Sequence, residues 1–302
     1  MPNSLEKKLE KIERLARGSV LGRLFNDPKR YVTAIGFWRL VYPLTKMGRF
    51  ARASTFFGAE MDLVLPSATE IFLFGAKTHD SEIRLARFLM KNLKLGDTFC
   101  DVGAHFGYFS LLASQLVGET GQVLSFEASR TTFGILENNL RPFEQAKPIH
   151  RAASDVDKTL VFNEFPALFS EYNSLVLPVG KHASWMKNNP PQRIEVAGIR
   201  LDDFFSNENF APQIIKVDVE GAEPEVLAGM EHFLRQNSPL LVMEYLLSSS
   251  QNEAHRRAVA LAQSIGYQVF RIESNGNISP CSDVETAMSA AGLDSDNIVF
   301  KK

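Results

Sequence analysis

Cysteine is scarce in this sequence: two residues in 302, Cys100 inside an apolar stretch and Cys281 near the end. That excludes a disulfide framework and points to a reducing compartment. Long apolar runs are missing as well, since none approaches the ~18 residues that a bilayer span requires. The first residues lack the apolar core of a secretory leader, because Glu6, Glu10 and Glu13 stand among their lysines. A soluble, cytoplasmic protein is therefore expected. The dinucleotide fingerprint G-x-G-x-x-G is absent. So is any spaced His/Asp metal motif, and no metal is expected. The formal net charge of −2 says little by itself, and no nucleic-acid partner is expected.

What is present is unevenly spread. Residues 1–52 hold 12 Lys/Arg against 4 Asp/Glu, +8 by count, and the remainder holds 21 against 31, −10. With 45% hydrophobic residues the chain can bury a full core. The expected organisation is a basic, helical appendage over 1–57 and one large domain over 58–302.

That domain is organised around residues 96–110. Thr98 to Val102 reads as a short strand, Gly103 and Gly107 bracket a tight turn, and Tyr108 to Val117 has helical spacing. Such glycines let backbone approach a ligand, and the helix start offers free N–H groups. The loop is G-x-x-x-G, with Asp101 at the end of the strand before it. A carboxylate there repels a pyrophosphate but suits a cation or an amino group. S-adenosylmethionine carries both a sulfonium and an α-amino group, so the stretch reads as a methyl-donor site. Gln122 to Phe126 is a second strand ending at Glu127, placed to accept from both ribose hydroxyls. Phe106 and Phe126 either line the adenosine or pack in the core.

Leu5, Leu9, Ile12 and Leu15 recur at helical spacing among lysines and arginines. The next stretch, through Phe37-Trp38-Arg39 and Arg52, is apolar and basic. It reads as a cap on the main domain, as a contact with a second subunit in a homodimer, or as a peripheral anchor on the anionic inner membrane face. Glu60–Leu65 and Glu70–Phe74 read as a hairpin within 58–78. His79 to Leu93 reads as an amphipathic helix, with Glu82 in its first turn either reaching a cofactor or serving the helix dipole. Ser129 to Leu140 is a helix capped by Ser129. Ile149 to Ala153 is a third strand, ending at Ser154-Asp155, a pair that could read an adenine edge or form a turn. Residues 156–198 break the alternation, and an insertion of that length is expected to face the acceptor.

Ile214 to Glu220 is the most informative strand. Lys216, Asp218 and Glu220 fall at every second position among aliphatics, hence on one face, near the end where open α/β sheets bind ligands. Buried charge in a parallel strand is costly unless it acts. Pro224 to Leu234 is a helix with proline in its first turn. Strands at Leu240–Tyr245, Tyr267–Ile272 and Asn297–Lys301 complete a doubly wound, Rossmann-like α/β sheet of seven strands, the last antiparallel.

The segments D-V-G-A-H-F-G-Y-F-S (101–110), F-E-A-S (126–129), N-N-L (138–140) and I-K-V-D-V-E-G-A-E (215–223) resemble the FkbM-type family of S-adenosylmethionine-dependent methyltransferases. The resemblance runs over about residues 80–245 and excludes 1–60. It implies methyl transfer to a hydroxyl of a sugar, glycan or complex natural product. Carried over by position, it implies that Asp101, Gly103, Ala104 and Gly107 hold the methionine end, Glu127 the ribose and Ser154-Asp155 the adenine. Lys216, Asp218, Glu220 and Glu223 would face the reacting centre. Two positions depart from the family: His105 stands where asparagine is usual, and Ala128 where proline is usual.

Methyl transfer to an alcohol needs positioning and a base that takes the hydroxyl proton as the C–O bond forms. Asp218, Glu220, Glu223 and His105 are the candidates, with His182 in the inserted loop behind them. Asp218 is expected near the donor, and Glu220 or Glu223 nearer the acceptor. A divalent cation among the acids is the alternative to a base. The rival functions are a nucleotide-binding oxidoreductase, an N-methyltransferase and a donor-binding, non-catalytic subunit. Against N-methylation, Asn189-Pro190-Pro191-Gln192 lacks the aromatic residue of the amino-methylating signature.

Overall fold

In chain order the strands are β1 (Arg49–Ser54), β2 (Glu60–Leu65), β3 (Thr98–Val102), β4 (Gln122–Glu127), β5 (Ala146–His150), β6 (Ala152–Ala153) and β7 (Thr159–Glu164). There follow β8 (Gln192–Ile199), β9 (Ile214–Val217), β10 (Leu240–Leu246), β11 (Gln268–Ile272), β12 (Ile278–Pro280) and β13 (Ser295–Lys301). These ranges come from a computed structural model that describes residues 2–177, 185–247 and 252–302. His182 lies outside the described residues.

The main sheet has eight strands in the order β12-β11-β13-β10-β9-β3-β4-β5. The block from β10 to β5 is parallel, and β13 enters antiparallel against β10. The eighth strand is β12, a three-residue edge that periodicity does not resolve. Helices cover both faces, so the two central strands β3 and β9 are apolar but for Thr98, Asp101 and Lys216, and Cys100, Val123, Ile215 and Val217 are all fully buried. Winding runs outward from β3 through β4 to β5, then resumes on the other side with β9 and β10. The sheet therefore has its switch point between β3 and β9, and the crevice at their carboxyl ends is where such sheets hold ligands.

Four expectations are corrected. The hairpin pairs β1 with β2, Arg49 opposite Leu65 and Ser54 opposite Glu60, so a strand replaces the end of the supposed helical appendage. Thr69–Phe74 is a helix, because a short apolar run without alternation fits a buried helical turn as well as a strand. The expected strand Ile149–Ala153 divides at Arg151: β5 stays in the main sheet, and β6 joins β8 and β7 in a small sheet of its own. The helix expected over Pro224–Leu234 is two, Glu223–Ala228 and Glu231–Asn237. It breaks at Gly229, where a Cβ would lie 2.0 Å from the Ser154 carbonyl oxygen, so only glycine permits that approach.

The first helix, Pro2–Ala16, is a cap on the main domain. Its Glu6 and Glu13 both grip the buried Arg87 guanidinium at 2.7 Å, and Leu9 is fully buried beneath it. Beyond it come Val20–Asn26, Pro28–Gly36, a π-helical turn Phe37–Val41 and Tyr42–Thr45. No helix among the described residues is long and apolar enough to cross a membrane.

Candidate active site

A cavity of about 480 Å³ opens at the switch point. Its floor is built by the chain leaving β3 (Gly103 to Phe106), β4 (Phe126 to Ala128) and β9 (Asp218 to Glu220), together with Lys216 and Glu244. One wall comes from residues 67–82, and residues 170–175 of the insertion form another. The insertion thus meets the cavity through the 3-10 turn Ala167–Tyr172.

Gly103 has φ 81°, and a Cβ on it would lie 1.8 Å from the Asp218 carbonyl oxygen. Only glycine lets the β3 and β9 loops touch, which brings the donor-loop motif and the charged segment into one site. The Gly103 and Ala104 N–H groups donate to the Phe126 carbonyl at 3.0 and 2.9 Å. Glu127 accepts from the Ser129 N–H and Thr132 hydroxyl on one oxygen and from the His105 N–H on the other, each at 2.8 Å. Burial pushes this carboxyl up, and those bonds oppose the shift.

Lys216 stands between Asp218 at 3.0 Å and Asp101 at 3.4 Å. Burial alone would raise Asp218, but Lys216 and then Lys77 outweigh it and hold the carboxyl below its ordinary range. Asp218 is therefore ionised at neutral pH. Beyond it the chain leaves the strand: β9 ends at Val217, and Glu220 takes a left-handed φ of 57°. The alternation argument thus holds for Lys216 and Asp218, while a turn delivers Glu220 to the same cavity. Carboxylate oxygens of Asp218, Glu220 and Glu244 come within 4.8 Å of one another, close enough to share a cation. Burial first, then Glu244 and Asp218, push Glu220 well above the usual carboxylate range. Burial, then Asp218, does the same to Glu244.

His105 and Glu82 also line the cavity. The His105 ring nitrogen Nε2 is 3.0 Å from the Ser170 hydroxyl. Burial, with Lys77 nearby, lowers its pKa to about 3, so the imidazole is neutral and a feeble base. Glu82 pairs through one oxygen with Lys77 at 2.8 Å. Its other oxygen is buried and makes no hydrogen bond.

Several expected residues lie elsewhere. Asp101 is 1% exposed and sits behind the wall, accepting from Ser110 at 2.7 Å and facing Lys216. Gly107 starts the helix Tyr108–Val117 against Leu136. Ser154 and Asp155 bond to each other and back onto Gly229, so Arg151, Ala152 and Ala153 line the cavity in their place. Glu223 is wholly buried. It accepts from the Gly221 N–H at 3.1 Å and from the Val219 N–H at 3.3 Å, with His255 at 3.5 Å. It ties down the turn that carries Asp218 and Glu220 and does not line the cavity. Sequence reading missed Glu70, Lys77, Glu171 and Glu244 as wall residues. Glu244 alone left a trace, as an acid ending an otherwise apolar strand.

The model of the methyltransferase FkbM domain matches residues 101–269. No curated protein matches the chain. Solved structures with a similar fold include a methyltransferase FkbM from Methylobacillus flagellatus KT, 13% identical, covering 79% of this chain and 56% of that one, with a TM-score of 0.40. Aeropyrum pernix fibrillarin, in complex with natively bound S-adenosyl-L-methionine, is 13% identical over 72% of this chain and 74% of its own, with a TM-score of 0.42. A precorrin-6y C5,15-methyltransferase from Geobacter metallireducens GS-15 is 14% identical over 73% and 87%, with a TM-score of 0.41. Because the family model takes in 169 of the 302 residues, including both the glycine loop and the charged segment, the chain belongs to the FkbM family of S-adenosylmethionine-dependent methyltransferases.

Proposed function

We propose that this enzyme methylates a hydroxyl of a sugar, a glycan or a complex natural product. The observation that carries the reading is the set of raised carboxyls in the cavity wall: Glu171, Glu220 and Glu244. Ionised, a carboxylate accepts an O–H hydrogen bond, and a raised pKa makes it a competent base near neutral pH. The wall holds seven Asp/Glu against three Lys/Arg, which disfavours an anionic acceptor and suits a neutral polyol. Tyr172 adds a flat apolar surface, grouped with Phe169 at 6.5 Å and Trp185 at 5.0 Å between ring centroids. Apolar face beside convergent acceptors is the usual make-up of a selective pocket.

The residues fit the donor. The second oxygen of Glu82 is buried without a hydrogen bond, and Glu127 uses three of its roughly four acceptor positions. An ammonium suits the first and a ribose hydroxyl the second. When bound, S-adenosylmethionine supplies an electrophilic methyl group on a sulfonium. Glu127 then anchors the ribose, Glu82 takes the ammonium, and ionised Asp218 lends negative charge beside Lys216. Glu220 accepts the proton of the acceptor hydroxyl.

Glu127→Ala is expected to weaken S-adenosylmethionine binding by about tenfold or more, because a charged acceptor loses hydrogen bonds worth ~1.5–3 kcal/mol. Calorimetry reads this, and unchanged affinity would remove Glu127 from the donor site. The acceptor is tested by incubating the enzyme with methyl-labelled donor and fractionated cell extracts, then identifying labelled products by mass spectrometry. A methyl ether is expected. A methylated amine would turn the assignment to N-methyl transfer, and donor binding without any product would fit a non-catalytic subunit.

A further inference from the structure

Ten of the fourteen large apolar side chains that stand exposed among the described residues fall between residues 20 and 50. Phe25, Leu40, Leu44, Met47 and Phe50 are each more than 70% exposed, and Trp38 is 43% exposed. Clustering of this kind on one short segment marks a contact surface, whereas scattered apolar residues would not. The segment from 20 to 52 also holds seven Lys/Arg and one acid, Asp27. Asp27 is spent as a helix cap, accepting from the Arg30 N–H at 2.9 Å. Arg52 is paired with Asp62 and Arg30 lies on Phe72. Arg39, Lys46 and Arg49 have no acidic partner among the described residues, and the first two lie over the rings of Trp38 and Tyr42.

From this we infer that residues 20–50 form an interfacial surface that binds an anionic lipid bilayer, with the aromatic and aliphatic side chains entering the headgroup region and the basic ones meeting lipid phosphates. Short basic helices with interleaved tryptophan, phenylalanine and leucine have the make-up of such surfaces. Charge decides against a second copy of the chain. A two-fold interface would set this patch against itself, and the +5 balance by count of residues 20–50 would oppose +5.

The surface is bonded to the active site. The Arg30 guanidinium donates to the Phe72 carbonyl at 3.2 Å, on the helix whose Glu70 and Ile71 line the cavity. The Tyr42 hydroxyl accepts from the Leu168 N–H at 3.3 Å, in the turn that carries Ser170, Glu171 and Tyr172 into the cavity. The proposed surface is thus hydrogen-bonded to two elements that line the cavity.

The test is sedimentation of the full chain with vesicles, either phosphatidylcholine alone or an equal mixture with phosphatidylglycerol. The protein is expected to sediment with the anionic vesicles at low salt, to be released by high salt, and to ignore phosphatidylcholine alone. The double variant Leu40→Glu/Leu44→Glu changes two solvent-facing side chains, so its melting curve and donor affinity should match wild type while vesicle binding falls about tenfold or more. Arg39→Ser/Lys46→Ser should weaken binding and flatten its salt dependence. A wild-type chain that stays in the supernatant with anionic vesicles at low salt overturns the proposal. So does a double variant that binds as well as wild type. A dimer without vesicle binding, dissociated by the same double variant, would give the surface to a second copy instead.

Discussion

Glu220→Gln is expected to lower kcat by roughly 10²–10⁴ with little change in donor affinity, the usual worth of a positioned general base. In barrier height that is about 3–5.5 kcal/mol. The argument is electrostatic. Glu220 lines the cavity, and burial together with Glu244 and Asp218 holds its carboxyl well above the ordinary range. His105 is pushed the other way, to about 3, and Asp218 is held ionised by Lys216, so both are poorer proton acceptors. A base must be deprotonated to act, so the wild-type rate should rise with pH through the raised value, and that acid limb belongs to the coupled Glu220–Glu244 pair. Glu220→Gln should abolish the limb. Asp218→Asn should move it to lower pH, because it removes a negative charge that raises both carboxyls. The measurement is kcat against pH at saturating donor and acceptor. A Glu220→Gln enzyme that keeps both its rate and its acid limb would take the base role away from this residue.

Lys216→Met is expected to destabilise the fold by about 3–5 kcal/mol, the cost of leaving buried charge without its partner. At the scale of a large domain, that lowers Tm by roughly 10 °C. Lys216 is 3% exposed and serves two acids, Asp218 at 3.0 Å and the almost wholly buried Asp101 at 3.4 Å. The pH dependence separates this cause from lost packing. In wild type, the folded pKa of Asp218 is depressed, so its stabilisation is present above the unfolded carboxyl pKa and lost as pH falls through the folded value. Without Lys216, burial dominates and raises the folded pKa. Stability is then greatest below the unfolded pKa and is lost as pH rises towards neutrality. The difference between the two proteins should therefore be largest at neutral pH and shrink towards pH 4, a range set by the ordinary carboxyl value of 3.8. Denaturant unfolding at several pH values reads it, and a difference independent of pH would reduce Lys216 to a packing role.

Local chemistry decided the elements that short-range pattern controls. The G-x-x-x-G loop, the acid ending β4 and the Ser129 cap follow from backbone sterics and nearby hydrogen bonds, and each stands where residue spacing put it. The doubly wound sheet follows from aliphatic strands alternating with amphipathic helices, and a match to the FkbM domain agrees with the motifs that suggested it. Short apolar runs were illegible, because Thr69–Phe74 is too brief to show either period. The site itself was legible only in part. Spacing put Lys216 and Asp218 on one face, but only the turn through Glu220 and Gly221, tied down by Glu223, decides that Glu220 enters the cavity and Glu223 does not. Lys77, Glu171 and Glu244 come from three distant segments, and nothing local to any of them records that they meet. Their pKa shifts are properties of the assembled cavity, since burial and neighbouring charge exist only once the chain has folded. Sequence determined which groups were available; long-range packing determined which of them are buried together, and hence which can hold a donor or take a proton.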